Sequence, residues 1–214
     1  MKLIIIGAKG FAKELLQVID DNHELTDSLC FFDDINQDMP ELLYGKFKLL
    51  HSFNELKNYF NQYSPEFVLG IGNPLSRQNL CNKAINAGGK LSSIISRTSF
   101  ISKFGVILGN GLCVMQNVII ENDAQIGEGC LVHTASMVSH DVHIGCFSEI
   151  SPGVKLLGRV IVGDRCSIGT NAVILPSIKI GSNVKVGAGA VVTKDLRDNI
   201  TVVGIPAREI EVKH

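Results

Sequence analysis

The chain has 214 residues, enough for one large domain or two small ones. Its formal net charge is −1 with no long run of one sign, which excludes the electrostatic footprint of a nucleic-acid binder. No apolar stretch approaches the roughly 18 residues of a membrane span and no secretory signal is visible; the six cysteines form no CxxC pair, so free thiols in a reducing cytoplasm are expected.

Residues 1–95 read as strands alternating with helices. Residues 2–6 are a buried strand. Residues 11–21 are helical, with apolar Leu15, Leu16, Val18 and Ile19. Residues 29–32 form a short strand ending at Asp33 and Asp34. Residues 53–63 form a second helix with Phe53, Leu56 and Phe60 on one face. Residues 67–71 are a strand running into Gly72 and Asn73. Residues 74–87 form a third helix, opened by proline and closed by Gly88 and Gly89. Such alternation predicts a small parallel, Rossmann-like sheet, half of a dinucleotide fold, over residues 1–95.

The first loop, Gly7, Ala8, Lys9, Gly10, follows a strand and opens a helix. Glycines there let backbone approach a phosphate, and free amides at the helix start bind it. Asp33 and Asp34 end the second strand, where such folds place a carboxylate for ribose or base. The bland alternatives are a tight turn and a solvated turn.

From Leu108 to Val192 every sixth residue is aliphatic, fifteen positions in fifteen. Seven of them are followed by glycine, and Gly109, Gly127, Gly145 and Gly163 fall 18 apart. Neither a helix nor a strand repeats at six, but a parallel β-helix does, with three hexapeptides per turn. Four positions after each aliphatic residue, at the expected corner, stand mostly small or β-branched residues such as Ala124, Cys130, Ser136 and Val142. About five coils are predicted, with the segment before Leu108 and the tail after Val192 as caps.

Within this repeat stand His133, His140 and His143, and His140 is followed directly by Asp141. A carboxylate that holds one ring N–H leaves the other nitrogen to take a proton from an amine or hydroxyl attacking a thioester. The rival is a surface histidine on a coil flank, the expectation for His143; His133 is a candidate for the same cleft. Zinc is disfavoured, because the spacing of these histidines does not suit three ligands.

Taken together, the glycine loop over residues 7–13, Phe32 with Asp33 and Asp34, residues 70–73, Ser139-His140-Asp141, the hexapeptides and the closing residues 203–208 resemble one family. It is the bacterial sugar O-/N-acyltransferases of the sialic-acid O-acetyltransferase (NeuD/PglD-like) group. The resemblance implies an α/β nucleotide-sugar domain followed by a left-handed parallel β-helix over residues 96–214. It implies acetyl transfer from acetyl-CoA, without metal, to a nucleotide-linked amino sugar at a 4-amino group. His140 would be the general base and Asp141 its orienting partner. The nucleotide sugar would meet Gly7, Ala8, Lys9, Gly10, Asp33, Asp34, Gly72 and Asn73. CoA would meet Gly158, Thr170, Gly187, Ala188 and Arg208, in a cleft between subunits of a cytoplasmic homotrimer serving polysaccharide synthesis.

The chain departs from the family at Lys9, at Phe11, where histidine is usual, and at His133, where asparagine is common. Glu149 stands where some N-acetylating members carry histidine. Two alternatives stay open: acetylation of a sugar hydroxyl, as on a sialic acid, and a non-catalytic β-helix that scaffolds or senses nucleotide.

Overall fold

A computed structural model describes residues 3–36 and 38–211; Lys2, read above as the first residue of a strand, lies outside it. The first domain is a sheet of β1 (Ile4–Ile6), β2 (Cys30–Phe32), β3 (Leu42–Leu43), β4 (Phe47–Leu50), β5 (Glu66–Leu69) and β6 (Lys90–Leu91), in the order β3-β4-β2-β1-β5-β6. All neighbours are parallel except β3 and β4. The central strands are buried on both faces, which is why they are continuous runs such as Ile4-Ile5-Ile6. Three helices cover the sheet: α1 (Gly10–Asp21), α2 (Phe53–Gln62) and α3 (Pro74–Asn86). Ser52 and Glu55 form a capping box at α2, and Asn73 caps α3 ahead of Pro74. Sequence reading missed β3, β4 and β6; two of these are only two residues long, and pairing rather than pattern makes them strands.

From Ile94 onward the chain is a parallel β-helix with three faces. One face stacks Ile94–Ile95, Cys113–Val114, Leu131–Val132, Glu149–Ile150, Ser167–Ile168, Lys185–Val186 and Thr201–Val203, and is closed by antiparallel Arg208–Ile210. The second runs from Phe100–Ile101 to Val191–Val192, the third from Ile107–Leu108 to Lys179–Ile180. The first coil therefore precedes Leu108. That segment is not a simple cap: Ile94–Ile95 pairs directly with Cys113–Val114. The sequence hid it because its steps break register: strands on the second and third faces start at Phe100 and Ile107, seven residues apart rather than six.

The aliphatic series forms the core of the solenoid, buried almost completely from Val114 to Val192. Each such side chain contributes about 1.5–3 kcal/mol. The turn itself falls two and three residues after the aliphatic position, one step earlier than expected. The residue four after it points inward beneath the corner, which is why Ala124, Cys130, Ser136 and Ser148 are fully buried there. At the third corner position the backbone is left-handed every time: fifteen residues at six-residue spacing, from Gly105 to Gly189, have φ between 53° and 71°. Glycine, asparagine and aspartate fill ten of them, the residues that adopt this conformation at least cost.

The glycine column at 109, 127, 145, 163 and 181 has a different cause. A Cβ at Gly127 would lie 2.8 Å from the Cys146 nitrogen, and at Gly163 2.7 Å from the Gly181 carbonyl carbon. Successive coils pass there backbone against backbone.

The two domains share a core. Leu15, Val18 and Ile19 of α1 cluster with Ile94, Cys113, Met115 and Leu131, while Phe147 joins Phe60, Phe67 and Cys81. The outward strand positions of the covered face therefore begin as Ile94, Cys113 and Leu131 and become Glu149, Ser167 and Lys185 where the cover ends. All six cysteines are unpaired. Among the described residues no helix is long and apolar enough to cross a membrane.

Candidate functional site

Two features stand out. The first is a cavity of about 270 Å³ at the carboxyl ends of β1, β2 and β5, where open parallel sheets bind ligands. Its walls are Gly7, Ala8, Lys9, Gly10 and Phe11, then residues 33–36, then Gly70, Ile71 and Gly72. Gly7 has φ +114, and a Cβ there would lie 2.7 Å from the Gly70 oxygen, so only glycine lets the two loops close. Of the three helices, α1 alone starts without a side-chain cap. Gly10 and Phe11 of its first turn line the cavity, so the positive end of the helix dipole lies at its wall, an arrangement suited to a phosphate.

The structure gathers most of the residues expected to bind nucleotide, with distinct roles. Gly7, Ala8, Lys9, Gly10, Asp33, Asp34 and Gly72 line the cavity. Asp33 is buried, and its carboxylate accepts from the Ile35 and Asn36 amides at 3.1 and 2.9 Å and from the Asn36 side chain through both oxygens. It shapes its own loop, and Asp34 beside it is the more exposed of the two. Lys9 donates through Nζ to Asn36 across the mouth of the cavity. Asn73 stands outside the lining and serves α3, accepting from the Ser76 amide at 3.0 Å.

The second feature is on the solenoid. His140 and Asp141 occupy the corner between the second and third faces, and Nδ1 of His140 is 2.7 Å from Oδ2 of Asp141. Both are about half exposed. Asp141 holds one of the left-handed corner positions, φ 59°. One coil on, the Gly158 backbone passes under the imidazole: a Cβ there would lie 2.5 Å from Nε2. The Gly158 N–H has no backbone acceptor among the described residues. The dyad can therefore accept a proton at Nε2 beside an available N–H donor.

The remaining candidates divide. Thr170, Gly187 and Ala188 share the corner between the first and second faces, where the Gly189 amide donates to the Thr170 carbonyl at 2.8 Å. Gly158 lies at the next corner, with His140. Arg208 opens the terminal antiparallel strand. His133 is not beside His140. It is buried at the seam between domains, its ring 5.1 Å from Phe11 edge-on and its Nε2 3.6 Å from Glu149 Oε1. Sequence reading did not find this seam, since Phe11 and Glu149 come together only through the fold. His143 is exposed on the third face. Among the described residues no group of three histidine, cysteine or carboxylate side chains is placed to hold a metal.

The chain is similar to known proteins in sequence and in fold. Residues 2–84 match the model of the PglD N-terminal domain. Residues 141–176 match the bacterial transferase hexapeptide, and 159–194 the hexapeptide repeat of succinyl-transferase. GDP-perosamine N-acetyltransferase of Escherichia coli is 30% identical over 177 residues, 78% of this chain and 74% of that one. The crystal structure of PerB from Caulobacter crescentus, in complex with CoA and GDP-perosamine, superposes with a TM-score of 0.90 at 30% identity, covering 99% of this chain and 98% of that one. The acetyltransferase domain of PglB from Neisseria gonorrhoeae gives 0.85 at 29% identity, covering 97% and 98%.

Proposed function

The chain belongs to the PglD-like sugar acetyltransferases built on a hexapeptide-repeat β-helix, and from that premise we propose that it N-acetylates the 4-amino group of a nucleotide-linked amino sugar. Acetyl-CoA is the co-substrate. The 2.7 Å contact between His140 and Asp141, over the backbone of Gly158, carries the reading. Asp141 keeps the imidazole proton on Nδ1. The amine attacks the thioester carbonyl while Nε2 of His140 takes its proton. The Gly158 N–H receives the oxyanion that forms. Collapse of the tetrahedral intermediate breaks the carbon–sulfur bond, and the proton passes from His140 to the departing CoA thiolate. The nucleotide lies in the cavity of the first domain, its diphosphate at the uncapped start of α1 with Lys9.

The chain works as a homotrimer. Thr170, Gly187 and Ala188 stand at one corner of the solenoid and His140 with Gly158 at the next, so a cleft between neighbouring copies brings both sets to one CoA. Exposed Phe100, Phe104, Ile107, Ile119 and Ile161 on the uncovered faces support self-association. The reaction belongs to the cytoplasm, where acetyl-CoA is made and unpaired cysteines persist.

Melting with acetyl-CoA and with GDP, UDP or dTDP tests the reading, because a ligand at about 100 times its Kd adds about 2.7 kcal/mol. A rise with acetyl-CoA and one nucleotide is expected, followed by thiol release with the matching amino sugar and an alkali-stable amide product. An alkali-labile ester would move the acceptor to a hydroxyl. No thiol release with any nucleotide amino sugar, and no nucleotide binding, would sink the proposal.

A further inference from the structure

Arg77, in the first turn of α3, is completely buried. Among the described residues no carboxylate pairs with it. Its guanidinium is bonded instead by carbonyls. Nη1 donates to Leu69 at 2.9 Å and Ile71 at 2.7 Å, and Nε and Nη2 both donate to Gly129, at 3.0 and 2.8 Å. Leu69 ends β5, and Ile71 lies in the loop that walls the nucleotide cavity. Gly129 is a corner residue of the β-helix, with the Phe147 ring packed where its Cβ would be.

One cation thus joins three carbonyls, two from the nucleotide domain and one from the solenoid. Burying a charge without an opposite charge is costly, and apolar residues already fill this seam around it. What the guanidinium adds is direction: a rigid planar fork bonded on both sides fixes distance and angle between its partners.

We propose that Arg77 is a positioning residue for acetyl transfer, holding the cavity wall at residues 70–72 in register with the β-helix so that the amine on a bound nucleotide meets the thioester. The inference rests on the transferase reading above. Displacement of a reacting atom by about 1 Å costs on the order of 10²-fold in rate, so loosening this bond affects turnover first.

The test is Arg77→Lys, which keeps the charge and loses the fork. The Kd of the bare nucleoside diphosphate is measured by calorimetry, and kcat and KM with the amino sugar, at a temperature where circular dichroism matches wild type. The expected result is a kcat lower by about 10²-fold, with the nucleotide Kd unchanged. A kcat equal to wild type would make Arg77 a purely structural residue and overturn the proposal. A Kd that rises in step with the loss of kcat would also overturn it, since the cavity itself would then have failed. Should Arg77→Lys not fold, Gly129→Ala reaches the same bond from the solenoid side by pushing the Phe147 ring and the Gly129 carbonyl. Ala135, at the matching repeat position of the next corner, has φ 59°, so the left-handed backbone itself admits alanine, and the strain of the variant falls on the Phe147 ring, 2.3 Å from the added Cβ. Wild-type protein that transfers no acetyl group would instead refute the transferase reading, before any variant is compared.

Discussion

The imidazole of His140 rests against the backbone of Gly158, one coil away, so closely that a Cβ on Gly158 would lie 2.5 Å from Nε2 and 2.6 Å from Cε1. Gly158 is required by the ring above it. Gly158→Ala should push the imidazole aside and lower kcat by about 10²-fold. Because the colliding atoms end a side chain, the melting temperature should move little. A large fall in melting temperature with kcat retained would show that the backbone, not the ring, needs this glycine.

His140→Ala should cut kcat by about 10² to 10⁴, the usual worth of general acid–base catalysis, with nucleotide affinity unchanged. Asp141→Asn should cost less. Asparagine already holds the same left-handed corner position at 117, 171 and 183, so that variant should fold as wild type. Steady-state kinetics beside nucleotide calorimetry decides it; a loss under tenfold for His140→Ala would remove His140 as the base.

Lys9 spans the cavity mouth to Asn36 and is exposed. Lys9→Ala should weaken nucleoside diphosphate binding about threefold to fivefold, the scale of an exposed charge pair. Raising salt should erase the difference. A salt-independent loss would mean that Lys9 acts through packing.

Burial pushes four thiols up from the ordinary value of 9.0: Cys130 to about 12, Cys81 and Cys166 to about 11, and Cys30 in the same direction. Below pH 9 both folded and unfolded chains keep these protons. Between pH 9 and about 11 only the unfolded chain releases them, so their stabilising effect is complete below pH 9 and declines as pH rises. Each thiol removes about 1.4 kcal/mol per pH unit in that window. Denaturant titrations at pH 8, 9.5 and 10.5 should show the decline, and Cys130→Ala should flatten it; identical slopes would contradict the assignment.

The repeat was legible because a solenoid writes its geometry into one period, and the His140-Asp141 dyad because its partners are adjacent in sequence. The first coil was not, since the seven-residue step from Phe100 to Ile107 puts Ile94 and Phe100 out of phase with the later series. β3 and β6 were invisible for another reason: strands of two residues depend on neighbours that local pattern does not name. Arg77 and the Phe11, His133, Glu149 seam share that fate, each joining residues at least 52 or 122 positions apart across the domain boundary. A helical arginine following Asn73 and Pro74 reads as solvent-facing until the solenoid closes over it.

Asp141 owes its orientation to the same left-handed turn that recurs at fifteen corners. The scaffold for a histidine–carboxylate dyad is therefore not a dedicated loop but a repeated unit of the molecule. Relocating such a dyad along the axis would need new side chains at two adjacent corner positions and a glycine one coil on, with no change of backbone. Lineages built on this solenoid can thus shift where chemistry occurs by point substitution, and lengthen or shorten the distance to a bound donor in whole coils.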